Sequence, residues 1–401
     1  MNILFWTCLI IIFYTFVGYG ILMYLLVKLK KSIRKKKEFT SLYLPTCTVV
    51  IAAYNEESYI RDKIVNTLAL NYPTNQMTIL VVADGSTDGT VDIIRKFPGV
   101  TLLYKEERQG KVHAINRAME YVKTEIVVFT DANTYLNEDS LITICNHYRD
   151  PHVGGVAGEK RIFSGKRADA SAAGEGLYWK YESTLKHLDS ELNSAVGAAG
   201  ELFSIRRSLY VPIPAYIILD DFVISMQIAQ LGYRIIYEPE AYALESSSSS
   251  IQEELKRKIR IAAGGIQSII YLKSLLNVSK HPLLSFQYIS HRVLRWTITP
   301  FLIILLFGAN VTLFMTQNEL YYDIILYCQL GFYCLAFLGH LSAKQNIKIK
   351  IFLIPYYFCI MNYSIIAGIF KFAKKEQSAV WEKSERRRTS NLASLIQEES
   401  V

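Results

Sequence analysis

The chain has 401 residues, 51% of them hydrophobic, and a formal net charge of +8, which leaves room for one large domain with appended segments. Much of the positive excess lies beside apolar stretches, so anionic lipid, and no nucleic acid, is the expected partner. The six cysteines, Cys8, Cys47, Cys145, Cys328, Cys334 and Cys359, form no C-x-x-C pair, which argues against a disulfide framework and against a zinc site.

In chain order, residues 1–27 read as a transmembrane helix: positions 3–27 are almost wholly apolar, and at about 1.5 Å per residue that run spans a bilayer. A cleaved signal peptide is the rival. No small-x-small site follows the run, and a basic linker over 28–45 does, with Lys28, Lys30, Lys31, Arg34, Lys35, Lys36 and Lys37. The positive-inside rule puts residue 28 onward in the cytosol.

From residue 46 the pattern becomes strand and helix in alternation. Cys47–Ala53, Thr78–Ala83, Thr101–Tyr104 and Ile126–Thr130 read as strands; Glu57–Leu70, Asp88–Phe97 and Lys111–Val122 read as helices. Such alternation predicts an α/β domain, Rossmann-like, with a mostly parallel sheet whose strand ends share one edge. The polar motifs fall just after strands, where ligands bind in open sheets: Tyr54-Asn55-Glu56-Glu57, then Asp84-Gly85-Ser86-Thr87-Asp88-Gly89, then Asp131-Ala132-Asn133. Alternation along an extended chain turns Asp131 and Asn133 to the same side, where two oxygen ligands can hold a hard divalent cation and, through it, a diphosphate. An Asx-turn at the strand end is the plainer reading of the same residues. A carboxylate at Asp84 or Asp88 can accept from a ribose hydroxyl or a base N–H, although A-D-G-S-T-D-G is also ordinary turn chemistry.

Residues 166–195 read as a long helical stretch with Tyr178, Trp179 and Tyr181, and a small-residue turn from Gly197 to Gly200 leads into a strand ending at Arg206 and Arg207. Asp220 and Asp221 precede a helix over Val223–Leu231, as an N-cap pair or as working carboxylates. Ser246 to Ser250 reads as a mobile loop, with Ser250 and Glu253 as a capping box for a helix over Ile251–Ala263 that carries Lys256, Arg257, Lys258 and Arg260. The domain ends near residue 265, and 266–296 reads as interfacial, amphipathic over 283–294. Within 297–370, the runs 297–316, 321–341 and 351–370 are each long enough to cross. Three crossings would put the basic tail, 371–401, outside the cell, against the positive-inside rule. The segment carrying Pro355 is therefore expected to be interfacial or re-entrant, leaving two to three spans.

The ordered set V-V-I-A-A-Y-N-E-E, V-V-A-D-G-S-T-D-G-T, R-Q-G-K-V-H-A-I-N, F-T-D-A-N, G-A-A-G-E-L-F-S-I-R-R, L-D-D-F and R-K-I-R resembles family 2 glycosyltransferases over residues 46–265. Within that family it is most similar to the membrane-embedded branch of cellulose, hyaluronan and poly-N-acetylglucosamine synthases. The resemblance implies a GT-A type nucleotide-diphospho-sugar transferase domain with flanking transmembrane helices. It implies a nucleotide-sugar donor, usually carrying uridine, a divalent metal (Mg2+ or Mn2+), and a glycan or lipid-linked acceptor at the cytosolic face of the plasma membrane. By the same resemblance Asp84 contacts the nucleotide, Asn55 and Glu56 line the base, and Lys111 lies near the nucleotide. Asp131 and Asn133 take the metal and diphosphate, and Asp221, beside Asp220, is the general base of an inverting reaction. Arg260, with Arg257 at the first position of its motif, supports the diphosphate and the acceptor channel.

Asp220 should raise the pKa of Asp221, since two adjacent carboxylates resist double ionisation. Three departures from the family pattern matter. Asn133 replaces an aspartate and weakens the metal site; Leu219-Asp220 stands where threonine-glutamate is common; and Ile261 replaces a tryptophan associated with holding a growing polymer, which speaks against processive synthesis. A polyprenyl-phosphate or glycolipid glycosyltransferase is the nearest alternative. A non-catalytic membrane scaffold that senses nucleotide-sugar is the alternative from another class.

Overall fold

Runs such as Thr48-Val49-Val50-Ile51 and Val127-Val128-Phe129 are buried along their whole length, the signature of strands covered on both faces. In the computed structural model, which describes residues 1–33, 42–163, 170–246, 250–345 and 349–376, they form the middle of an eight-stranded sheet. The chain divides into two units. One contains the sheet and comprises Lys30–Phe163 and Lys186–Ser246; the other comprises Met1–Leu29, Ser164–Leu185 and Ser247–Gln377.

In the sheet unit the strands are β1 (Cys47–Ala53), β2 (Met77–Asp84), β3 (Val100–Lys105), β4 (Ile126–Asp131), β5 (Thr134–Leu136), β6 (Val153–Phe163), β7 (Leu202–Arg206) and β8 (Arg234–Ser246). Their order is β3-β2-β1-β4-β7-β6-β8-β5. The first four strands are parallel, as expected, with helices Ile60–Leu68, Thr90–Ile94 and Lys111–Tyr121 as crossovers. The second half departs from the expected parallel pattern: β7 runs antiparallel to β4 and β6, and β5 antiparallel to β8. Register aligns the strand ends, with Ala52 opposite Asp131 and Ala53 opposite Ala83. Tyr54, Asp84 and Asp131 therefore emerge along one edge. Beneath them Val49, Ile51, Val81 and Val128 pack with Ile60, Ile64, Leu141 and Ile144 in one core cluster.

In the other unit, Phe5 and Cys8 pack against Leu306, Ala309, Leu313 and Tyr322. Among the described residues four helices are long and apolar enough to cross a membrane: Asn2–Ile33, Thr299–Thr316, Leu320–Lys344 and Lys350–Ala373. The last is unbroken through Pro355, whereas a re-entrant segment has to turn back on itself, so that half of the expectation is corrected. It lies along the charged helix Ile251–Tyr271: the Tyr357 hydroxyl is 3.4 Å from Glu254 Oε1, and a Cβ on Gly368 would come within 2.5 Å of Ala262 Cβ.

Ser250 caps the charged helix, its Oγ accepting from Glu253 N at 3.2 Å. The rest of the serine run over 247–249, the linker basic residues from Arg34 to Lys37 and the tail from 377 onward lie outside the described residues. The expected amphipathic segment 283–294 forms helix Pro282–Tyr288 followed by a π-turn over Ile289–Val293. Its polar groups Ser285, Gln287, Ser290, His291 and Arg292 are buried and do not form an exposed polar face. His291 Nε2 and Arg295 Nη1 lie 3.3 and 2.9 Å from the carboxylate of Glu182, and Arg292 pairs with it too. Against the penalty of burial, Arg292, His291 and Arg295 hold the Glu182 carboxyl well below the usual range.

Candidate active site

The turn after β2 is built around Asp84, which is only 4% exposed. Its Oδ2 accepts from the backbone N–H groups of Gln109 and Gly110 at 2.9 and 2.6 Å. Its buried Oδ1 makes no hydrogen bond and has Arg117 Nη2 at 3.9 Å. An unsatisfied buried acceptor is costly, so a ligand N–H or O–H placed there gains a full hydrogen bond. Gly85, at φ +70°, lets Arg108 approach: any Cβ there would lie 2.8 Å from the Arg108 Cα. The Arg108 guanidinium lies 3.6 Å over the ring of Tyr54. Tyr54, Asp84, Arg108, Gly110 and Lys111 line one pocket, a planar π-cation wall beside an open acceptor.

Asn55 joins the first two loops rather than pointing freely. At φ +54° its Oδ1 accepts from Thr87 N at 2.8 Å, and its Nδ2 donates to Thr87 Oγ1 at 3.3 Å. Asp88 is occupied in the same way, with Oδ1 accepting from Thr90 N and Oδ2 from Glu57 N, so it caps the turn instead of offering itself to a ribose. Glu56 is buried in that loop, its carbonyl accepting from Tyr59 N and Ile60 N.

Next to this pocket three aspartates surround one ammonium. Lys111, the first residue of its helix, places Nζ 2.9 Å from Asp131 Oδ1 and 3.7 Å from Asp220 Oδ2. Burial disfavours the charge on Lys111, but Asp131, Asp220 and Asp221 outweigh it and raise the pKa. Asp220 and Asp221 occupy the first turn of helix Asp220–Gln230, whose N-cap is Leu219; they are not its N-cap pair. A helix N-terminus favours negative charge. Burial first, and Asp220 second, nevertheless push the Asp221 carboxyl up to about 7, with Glu201 adding to the rise and Lys111 opposing it. Gly200 makes the cluster sterically feasible: a Cβ there would sit 3.0 Å from Lys111 Nζ and 3.5 Å from Asp221 Oδ2.

Asp131 closes β4, whereas Ala132 and Asn133 form a turn, so strand alternation does not set the Asp131–Asn133 relation. The turn is held from below. Thr134 Oγ1 donates to the Asp131 carbonyl at 2.9 Å, and the fully buried Lys63 donates to Thr130 Oγ1 at 2.8 Å. Among the described residues no group of three or more His, Cys, Asp or Glu is arranged to hold a metal ion. One carboxylate and one amide do fit a hard cation that completes its shell with phosphate oxygens and water, as Mg2+ commonly does.

Lys63, Arg108, Arg117 and Glu201 were not singled out from the sequence. Only Lys63 carried a signal: it follows Ile60 by three positions on the apolar face of its helix. Glu201, partly buried, and the buried Glu245 share Lys160. Arg257 and Arg260 belong to the other unit, on helix Ile251–Tyr271, where Arg257 Nη2 lies 2.9 Å from Glu254 Oε2.

Residues 48–211 match the family model described as Glycosyl transferase family 2. The chain is 27% identical over 267 residues to poly-beta-1,6-N-acetyl-D-glucosamine synthase of Staphylococcus aureus (strain COL), an alignment covering 64% of this chain and 63% of that protein. It is 24% identical over 363 residues to the synthase of the same name from Staphylococcus epidermidis, covering 84% and 86%. Among solved structures it resembles a mannosyltransferase from Pyrobaculum calidifontis in complex with GDP-Man and Mn2+, with a TM-score of 0.71 and 23% identity over 93% of this chain and 100% of that one. At that identity the likeness establishes the fold.

Proposed function

We propose that this chain, whose residues 48–211 match the glycosyl transferase family 2 model, performs an inverting transfer of a sugar from a nucleoside-diphosphate donor to a hydroxyl acceptor. The observation that carries this reading is Asp221, a carboxylate raised to about 7 beside Asp220, on the sheet edge where Asp84 keeps one oxygen unbonded. In this reading the base stacks at Tyr54 and Arg108 and donates to Asp84. Lys111 contacts the diphosphate, and Asp131 with Asn133 would hold Mg2+ or Mn2+, which neutralises charge on the leaving diphosphate when bound. The acceptor oxygen attacks the anomeric carbon from the face opposite the diphosphate. Its proton passes to the Asp221 carboxylate as the bond to the phosphate oxygen breaks, and the nucleoside diphosphate leaves with the electron pair. Arg260, with Arg257, is assigned to the acceptor and diphosphate.

The names of the Staphylococcus relatives, poly-beta-1,6-N-acetyl-D-glucosamine synthases, support N-acetylglucosamine as the first sugar to try and a glycan as product; a UDP-sugar is the donor we propose. Ile261, standing where the resemblance described above implies a tryptophan, favours a lipid-linked acceptor and single transfer over processive growth. We place the sheet unit in the cytosol at the plasma membrane, and helix Lys350–Ala373 along the interface with the charged helix beside it. The test is release of nucleoside diphosphate by detergent-solubilised protein from a panel of UDP- and GDP-sugars. Turnover of one donor that needs a divalent ion supports the reading; nucleotide binding with no turnover of any donor favours a nucleotide-sugar-sensing scaffold instead.

A further inference from the structure

Lys111 is held more tightly than a mobile phosphate-binding side chain needs to be. Its backbone starts a helix directly after Gly110, whose N–H is fixed on Asp84. Its side chain is 21% exposed, against 14% for Asp131 and 6% for Asp220, so the pair is largely shielded from water. Its Nζ and Asp221 Oδ2 flank the same glycine, Gly200, and all three aspartates act on its charge. The ammonium thus stands within an acidic cluster and in direct contact with Asp131, the one anionic member of the Asp131–Asn133 pair.

We infer that Lys111 is a built-in counter-ion of the acidic cluster, and that a divalent cation enters only together with the nucleoside diphosphate. The inference rests on the glycosyl-transfer reading above. A cation approaching without nucleotide meets one carboxylate already neutralised by an ammonium at hydrogen-bond distance, and an uncharged amide. Coulomb repulsion between the two cations is strong at such range in a shielded pocket. A diphosphate changes the balance: its oxygens give the ammonium new acceptors and give the metal its remaining ligands, so Asp131 is released to the metal. Asn133 has a role in this scheme. A second aspartate in its place would hold a cation against Lys111 without any donor, whereas the amide makes occupancy conditional on the donor.

The experiment is titration of Mn2+ into the full-length, detergent-solubilised chain without nucleotide, following the electron paramagnetic resonance signal of free Mn2+. The wild type should bind Mn2+ at least roughly tenfold more weakly than Lys111→Met and Lys111→Gln, which remove the charge and retain most of the length. Adding Asp131→Asn to either variant should abolish the gain. Wild-type protein that takes up nucleotide-free Mn2+ as tightly as the variants overturns the inference, as do folded variants that gain nothing. If the variants fail to fold, tight uptake by the wild type alone, equal to that measured with UDP present, is enough to overturn it, and a tenfold or greater tightening by UDP supports it. Binding of labelled UDP and GDP is measured separately: loss of both would sink the glycosyl-transfer reading, while the Mn2+ comparison bears on Lys111 alone.

Discussion

Replacing Asp221 with asparagine leaves a side chain of the same size but no base. General-base assistance is worth about a hundred- to ten-thousandfold, or roughly 3–5 kcal/mol, so turnover should fall by that factor while nucleotide binding persists. The carboxyl raised to about 7 adds a second signature. A base works only when deprotonated, so the wild-type rate should drop about tenfold per unit below pH 7 and level off above it, and the variant should lose this limb. Stability should move in the opposite direction. Because the folded pKa lies above the unfolded value of 3.8, the native state binds the extra proton between about pH 4 and 7, and stability is lost as pH rises through that window. Asp221→Asn should therefore stabilise the protein at pH 8, with a ceiling of about 4 kcal/mol, and have little effect at pH 4. Nucleoside diphosphate release across pH, with melting curves at both ends, tests each part. Turnover within a few-fold of wild type, or an unchanged pH limb in the variant, would refute the assignment.

Asp84→Ala removes both the backbone clamp and the open acceptor, and should raise the donor KM by roughly tenfold to a hundredfold with kcat less affected, read from donor saturation curves. Gly197→Ala, at φ +88° and with its Cβ 2.2 Å from the Phe222 ring, should cost about 1–3 kcal/mol in stability, measured by thermal melting. Burial lowers the Lys63 pKa to about 7, so the folded state binds fewer protons than the unfolded one between about pH 7 and 10.5, and stability should rise with pH across that window. Lys63→Met should flatten the rise in melting curves at pH 7 and 9. Cysteines placed after residue 377 should resist membrane-impermeant thiol reagents added to intact cells; labelling from outside would overturn the assigned orientation of the tail.

Strands β1 to β4 were legible because each is a continuous apolar run, and their parallel pairing because a helix separates each from the next. Of the second half only β7, the strand running to Arg206, was legible, and its antiparallel pairing was not. β5 has three residues and β7 five, and their partners are set by packing that no local pattern reports. Of the expected positions, Asp84 and Asp131 end strands, while Lys111 and the Asp220-Asp221 pair open helices, and all of them lie in the sheet unit. What spacing did not convey was who contacts whom. Asn55 and Asp88 turn to their own loops, and Lys63 and Arg117 reach Thr130 and Asp84 through tertiary packing that spacing does not report.

The Glu182 cluster also carries a consequence for the order of synthesis. Glu182 leaves the ribosome well ahead of His291, Arg292 and Arg295, the groups that compensate its buried charge. At roughly 5–20 residues per second that interval lasts about 5–20 s, during which a carboxylate destined for a dry interior lacks these three partners. The segment around Glu182 is thus expected to stay hydrated and open to proteases until Pro282–Trp296 arrives, and arrested chains ending near residue 285 should be cut there while chains ending near 320 are protected. One carboxylate would then act as a latch that closes the N-terminal part of its unit only after the C-terminal part exists.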